Sequence, residues 1–173
     1  EEAAENTLES FEYSISLGCK FIETDVQVSS DGVPYIFHDN DLKRICDLPN
    51  KFDSLSSQEI DDLRIFGDHK IPKLVDALNT FPSTSFQIDF KTDEVVNPAL
   101  EVISKSNASE RVCVASFNSE RLNNVRLTHP HLCISMGPNE VAKTLMSSFG
   151  IYRGCLLYTS DAADERLGVV RGG

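Results

Sequence analysis

The sequence predicts an α/β fold: a parallel sheet of repeated strand–helix units, favoured as a closed barrel over the competing open, doubly wound sheet. Three observations carry this. Strand-like apolar segments begin at Phe21, Ser85, Val112 and Leu132, and each is followed by a further unit of similar size. Helical signatures with caps and apolar residues at helical spacing lie between them, the pattern of βα units. No Gly-rich phosphate loop follows any strand, as an open nucleotide-binding sheet would require. The 173-residue chain is long enough for one domain with a sizeable core.

The elements follow in order. Asn6 reads as an N-cap with Glu9 as its capping-box partner, Leu8, Phe11 and Ile15 at helical spacing, and Gly18 at the stop. Phe21 to Val28 is the first strand, Ser29 to Gly32 a tight turn, and Val33 to Phe37 a second short strand. Residues 40–70 loosen into polar and turn-forming residues, with one capped helical piece at Ser56–Glu59, and read as an excursion over the surface. Pro72 starts a helix carrying Leu74, Leu78 and Phe81, and Pro82 ends it. The strand Ser85–Lys91 follows, then a helix opening at Asn97-Pro98, a strand at Val112–Ser116, a helix from Asn118, a strand at Leu132–Met136 and a helix from Asn139.

Composition excludes some partners. A net charge of −11 without a Lys/Arg cluster argues against nucleic acid. No apolar run reaches the length of a membrane span. Five cysteines without C-x-x-C spacing favour a reduced compartment such as the cytoplasm. Cys19 and Cys113 adjoin or lie within apolar runs, where a thiol behaves as a small hydrophobe.

Chemistry concentrates at the strand ends. Strand alternation puts Glu23 and Asp25 on one face with Phe21 and Gln27, and Ile22, Val26 and Val28 on the other. Neighbouring carboxylates repel, so the pair reads as half of a metal site, although an isolated E-x-D is more often a solvated edge. In the third strand Phe86, Ile88 and Phe90 share one face, while Gln87, Asp89 and Lys91 share the other, an acid beside a base. Together with His38, these residues occupy late-strand positions, where a barrel places its chemistry. His69, His129 and His131 read as solvated loop residues, and Ser116-Phe117-Asn118 as a structural turn with Asn118 capping a helix.

In order, ENTLESF, GCKFIETDVQVSSDGVPYIFHDNDLKR, IPKLVDAL, FQIDFK and VASFNSERLNNVR resemble the glycerophosphodiester phosphodiesterase family from about Glu5 to at least Met136. The family's signatures are His-Arg-Gly, P-E-N-T, E-x-D-V, D-G-x-P-V, H-D and E-x-K. All but the first are recognisable, two of them altered. The resemblance implies a (β/α)8 barrel that hydrolyses glycerophosphodiesters to glycerol 3-phosphate and an alcohol with a divalent cation, Mg2+ or Ca2+. It assigns Glu23, Asp25 and Asp89 to the metal, His38 to acid–base catalysis and Lys91 to the substrate phosphate. Glu5 and Asn6 match P-E-N-T, with Asn6 mainly a cap. Asp89 stands where the family usually has Glu, as in some lysophospholipase D-like branches, which keeps that substrate class open. A non-catalytic domain binding metal or phosphate is the other alternative. The alcohol group and the oligomeric state stay open at this level.

The His-Arg-Gly motif would precede Glu1, so the expectation is a barrel portion lacking the first strand and the last strands, nearly inactive as written. Residues 1–154 are read as that portion. The segment 155–165, CLLYTSDAADE, translates a transposase-type sequencing adapter in one frame, so 155–173 is read as a non-native tail.

Overall fold

The computed structural model describes residues 4–148. The proposed tail at 155–173, and the boundary near Gly154, lie outside the described residues. The first helix, α1 (Leu8–Ser16), leads into β1 (Phe21–Val28) and β2 (Pro34–Ile36). The excursion holds α2 (Lys43–Cys46), a 3-10 turn at Phe52–Ser54 and α3 (Ser57–Asp62). The repeating units follow: α4 (Leu74–Thr80), β3 (Ser85–Phe90), α5 (Val96–Lys105), β4 (Val112–Ala115), α6 (Ser119–Thr128), β5 (Cys133–Ile134) and α7 (Pro138–Ser148).

The strand order is β2-β1-β3-β4-β5. Strands β1, β3, β4 and β5 run parallel in chain order, while β2 folds back antiparallel on β1 as a hairpin. Each new parallel strand is added beside the last, with no reversal of order. A doubly wound sheet reverses at a switch point; a barrel does not.

Period-2 alternation separates the faces as the sequence implies. Ile22, Val26, Phe86, Ile88, Phe90, Val112, Val114 and Ile134 pack with Phe11, Leu78, Ile103, Leu122 and Val125 from the helices into one large core. Helices thus cover the outer face. The register rows Glu23–Gln87–Cys113–Cys133 and Asp25–Asp89–Ala115 belong to the opposite face, and none of these residues joins that core. Burying apolar side chains on one face leaves the other available for charge.

Three details differ from the sequence reading. Asn6 is not the cap of α1: it takes a left-handed conformation (φ 57°) and its side-chain oxygen accepts a hydrogen bond from Thr24 Oγ1 at 2.8 Å. Thr7 is the cap, with Ser10 rather than Glu9 completing the box. The excursion is also more than a surface loop. Phe52, Ile60, Ile65 and Ile71 gather with Leu42 on Tyr35 and Phe37, a second core on the far side of the hairpin from Ile36. Strand limits are otherwise as expected to within a few residues, and Gly32 takes the positive φ (85°) its turn needs.

Candidate active site

The inner face supplies the floor. Asp25 and Asp89 are register partners on β1 and β3, which brings residues far apart in sequence side by side. Lys91, just past β3, inserts Nζ between them, 2.7 Å from Asp25 Oδ1 and 2.8 Å from Asp89 Oδ2. All three side chains are nearly enclosed, at 17% exposure for Lys91, 12% for Asp25 and 7% for Asp89. Burial alone would lower the Lys91 ammonium's pKa, but the hydrogen bonds to Asp25 and Asp89 outweigh it and hold the pKa above its usual value. Asp89 Oδ1 stays buried without a hydrogen-bond partner.

Glu23 lies one register row earlier and is exposed. Partial desolvation, then the Asp25 and Asp89 charges, push its carboxyl above the ordinary carboxylate range, against the opposing pull of Lys91 and His38. Glu23 and Asp89 line a groove of about 480 Å³ whose further wall is Ala115, Phe117, Met136, Pro138 and Val141. Phe117, expected to be a structural turn residue, is 84% exposed and its ring lies 5.9 Å from Lys91 Nζ.

His38 reaches the same end of the sheet by a different route. The Phe37 N–H donates to the Asp25 carbonyl at 3.1 Å, delivering the next residue beside β1. Buried Gln27 then donates to the Asp39 carbonyl (3.1 Å) and to Asn40 Oδ1 (3.2 Å), pinning the loop. Asp39 Oδ1 lies 2.6 Å from His38 Nδ1. Because a carboxylate can only accept, Nδ1 carries the proton and Nε2 remains for chemistry. Asp39 is gripped in turn by Arg44 Nε at 2.6 Å and Nη2 at 3.2 Å, and Arg44 Nη1 pairs with Glu5 Oε1 at 2.5 Å. The Arg44 hydrogen bonds, more than that of His38, hold the Asp39 carboxyl below its usual range despite some desolvation.

The structure therefore joins Asp25, Asp89 and Lys91 directly and sets Glu23 beside them. His38 and Lys91 line a common recess with Asp39, Asn40 and Asp41. Glu5 serves Arg44, and Asn6 serves Thr24. Sequence reasoning passed over Arg44 and Gln27; the inward alternation of Gln27 after Asp25 was the available signal for the second. Among the described residues, no three His, Cys, Asp or Glu side chains converge tightly enough to ligate one ion. The donor chemistry nevertheless fits a hard cation: three carboxylates, one with a raised pKa and one with an unsatisfied buried oxygen.

Comparison with known proteins follows the same residues. Residues 1–145 match the glycerophosphoryl diester phosphodiesterase family. The chain is 33% identical over 116 residues to "Probable glycerophosphodiester phosphodiesterase 2" of Mycobacterium tuberculosis, covering 67% of this chain and 44% of the relative. It is 25% identical over 134 residues to the human "Lysophospholipase D GDPD1", covering 69% of this chain and 43% of that protein. An Oleispira antarctica phosphodiesterase, solved in complex with the product sn-glycerol-3-phosphate, superposes with a TM-score of 0.70 at 25% identity, covering 77% of this chain and 60% of the other. The chain thus spans about half the length of these relatives. On motifs, strand order and family match together, the chain belongs to the glycerophosphoryl diester phosphodiesterase family.

Proposed function

We propose that this chain carries the phosphate-handling part of a phosphodiesterase that cleaves glycerophosphodiesters to glycerol 3-phosphate and an alcohol. The observation that carries it is the Lys91 ammonium held between Asp25 and Asp89, facing a recess that His38 shares. Lys91 offers positive charge to a phosphoryl oxygen. Asp25 and Asp89 hold that ammonium in place and keep it protonated. His38, with Nδ1 fixed by Asp39, presents Nε2 to take a proton from the attacking hydroxyl or give one to the leaving oxygen. Arg44 fixes Asp39 and through it the ring. A divalent cation would be held by Glu23, Asp25 and Asp89, and when bound it supplies neutralising charge at the phosphate. No described helix is long and apolar enough to cross a membrane.

A second reading, hydrolysis of lysophospholipids, draws support from the groove wall. Phe117, Met136 and Val141 offer an apolar surface beside Asp89, suited to an alcohol that carries an acyl chain.

Two experiments test the proposal. Glycerophosphocholine and lysophosphatidylcholine are supplied with Mg2+ or Ca2+, and glycerol 3-phosphate or lysophosphatidic acid is quantified. Assayed in a chain extended upstream of Glu1 with a His-Arg-Gly strand, His38→Gln is expected to lower the rate by roughly 10² to 10⁴. Separately, Mg2+ or Ca2+ is expected to raise the thermal midpoint, and Asp89→Asn to abolish the rise. Turnover indifferent to His38→Gln refutes the acid–base assignment, and a cation response unchanged in Asp89→Asn refutes the metal assignment.

A further inference from the structure

The inner face carries a second reactive group below the charged cluster. Cys113 on β4 and Cys133 on β5 are direct register partners in a parallel ladder. Adjacent strands lie about 4.8 Å apart, within the Cα separation of roughly 4.4 to 6.8 Å that a disulfide spans. Both are thiols in the structure. Both belong to the row Glu23–Gln87–Cys113–Cys133 on the inner face, apart from the large apolar cluster under the helices. Cys113 is buried at 6%, as its apolar strand suggests, yet it faces the inner side of the sheet.

We propose that Cys113 and Cys133 are an oxidation site: hydrogen peroxide joins them in a reversible disulfide that staples β5 to β4 beneath the groove. Cys133 is partly exposed while Cys113 is buried at 6%, so peroxide meets Cys133 first. The Cys133 sulfur is oxidised to sulfenic acid and one water leaves. The Cys113 sulfur then attacks, forming the S–S bond, and the hydroxyl departs with the Cys113 proton as a second water. Two thiols and one peroxide give one disulfide and two waters, two electrons passing from sulfur to peroxide. Hydrogen bonding to Cys133, then burial, holds the Cys113 thiol protonated, which makes the second step slow and the reduced pair stable at rest.

The position gives the bond a consequence. Among the described residues, strand β5 is held by two register pairs, Cys113–Cys133 and Val114–Ile134, plus the Ser135 N–H to the Val114 carbonyl at 2.9 Å. Ser135 and Met136, immediately downstream, line the groove. A covalent link at Cys133 therefore fixes a short, sparsely paired strand among the described residues where it forms the groove wall.

The full chain is treated with hydrogen peroxide, alkylated and digested with trypsin. The expected product is peptide 112–121 linked to peptide 127–143, removed by dithiothreitol, with the thermal midpoint raised by about 5 °C before reduction. In Cys113→Ser, Cys133 should stop at sulfenic acid and label with dimedone, without the rise. Cys133→Ala should form no link and no rise, a control that does not depend on how the first variant folds. Alkylation of both residues after peroxide at the untreated level would overturn the proposal. Crosslinks of either cysteine to Cys19 or Cys46 in place of the 113–133 link would overturn it too.

Discussion

Replacing Lys91 by Met tests the central arrangement most directly. Two carboxylate contacts near 2.8 Å are each worth about 6 kcal/mol of attraction at an effective dielectric of about 20. Desolvating three charges cancels most of that in the intact cluster. Removing only the lysine forfeits both attractions and leaves Asp25 and Asp89 desolvated side by side. Breaking a buried pair in this way costs about 3 to 5 kcal/mol, and uptake of a proton by one carboxylate limits the loss to the lower end. The expectation is a loss of about 3 kcal/mol in urea denaturation at neutral pH, or about 9 °C in thermal midpoint. The Lys91 pKa is raised on folding, so its contribution is complete below its unfolded value near 10.5 and is lost only as pH climbs through the folded value. The gap between wild type and variant should hold across neutral and mildly alkaline pH. Adding Asp89→Asn to Lys91→Met should recover most of the loss, because one carboxylate alone no longer needs the ammonium. A loss below about 1 kcal/mol, or a double variant no better than the single one, refutes the reasoning.

Other expectations concern neighbouring features. The Glu23 carboxyl is raised above 4.5 on folding, so its ionisation costs stability as pH rises through that value and then through the folded one. Glu23→Gln should therefore melt higher than wild type at pH 7, and the advantage should vanish near pH 3.5, as thermal scans at the two pH values would show. Arg111 donates to the carbonyls of Leu78 (2.6 Å), Thr84 (2.9 Å) and Phe81 (3.2 Å), tying β4 to the end of α4. Arg111→Ala should cost about 2 to 3 kcal/mol in urea denaturation. Arg111→Lys should recover less than half of that, because it lacks the fork that reaches three acceptors. Thr7→Ala should cost about 1 kcal/mol, whereas Glu9→Ala should stay within about 0.5 kcal/mol; equal losses would restore Glu9 as the capping partner.

Much of this was legible in the sequence, for reasons that differ by residue. Alternation in β1 and β3 is local, so the shared face of Glu23 and Asp25, and that of Asp89 and Lys91, could be read directly. Their meeting depends on register, which no local pattern encodes: Asp25 opposes Asp89 because of how β1 and β3 align over six pairs. The cap of α1 was misplaced because Asn suits both an N-cap and a left-handed residue, and the adjacent Thr7 competes for the cap. The second core escaped notice because Phe52, Ile60, Ile65 and Ile71 are scattered among turn residues with no common period. Cys113 and Cys133 looked unrelated because only the β4–β5 ladder brings them together.

The two cores divide the site between them. Asp25, Asp89 and Lys91 stand on strands anchored in the large core, while His38 follows Phe37 of the smaller one. Cooperative units of different size open at different free energies. The histidine and the charged cluster therefore rest on different apolar clusters, bridged by Gln27 and the Asp25–Phe37 backbone bond. On the function proposed above, local opening of the smaller core would withdraw His38 while Lys91 stayed between Asp25 and Asp89, separating the proposed proton-transfer group from the proposed phosphate-binding one.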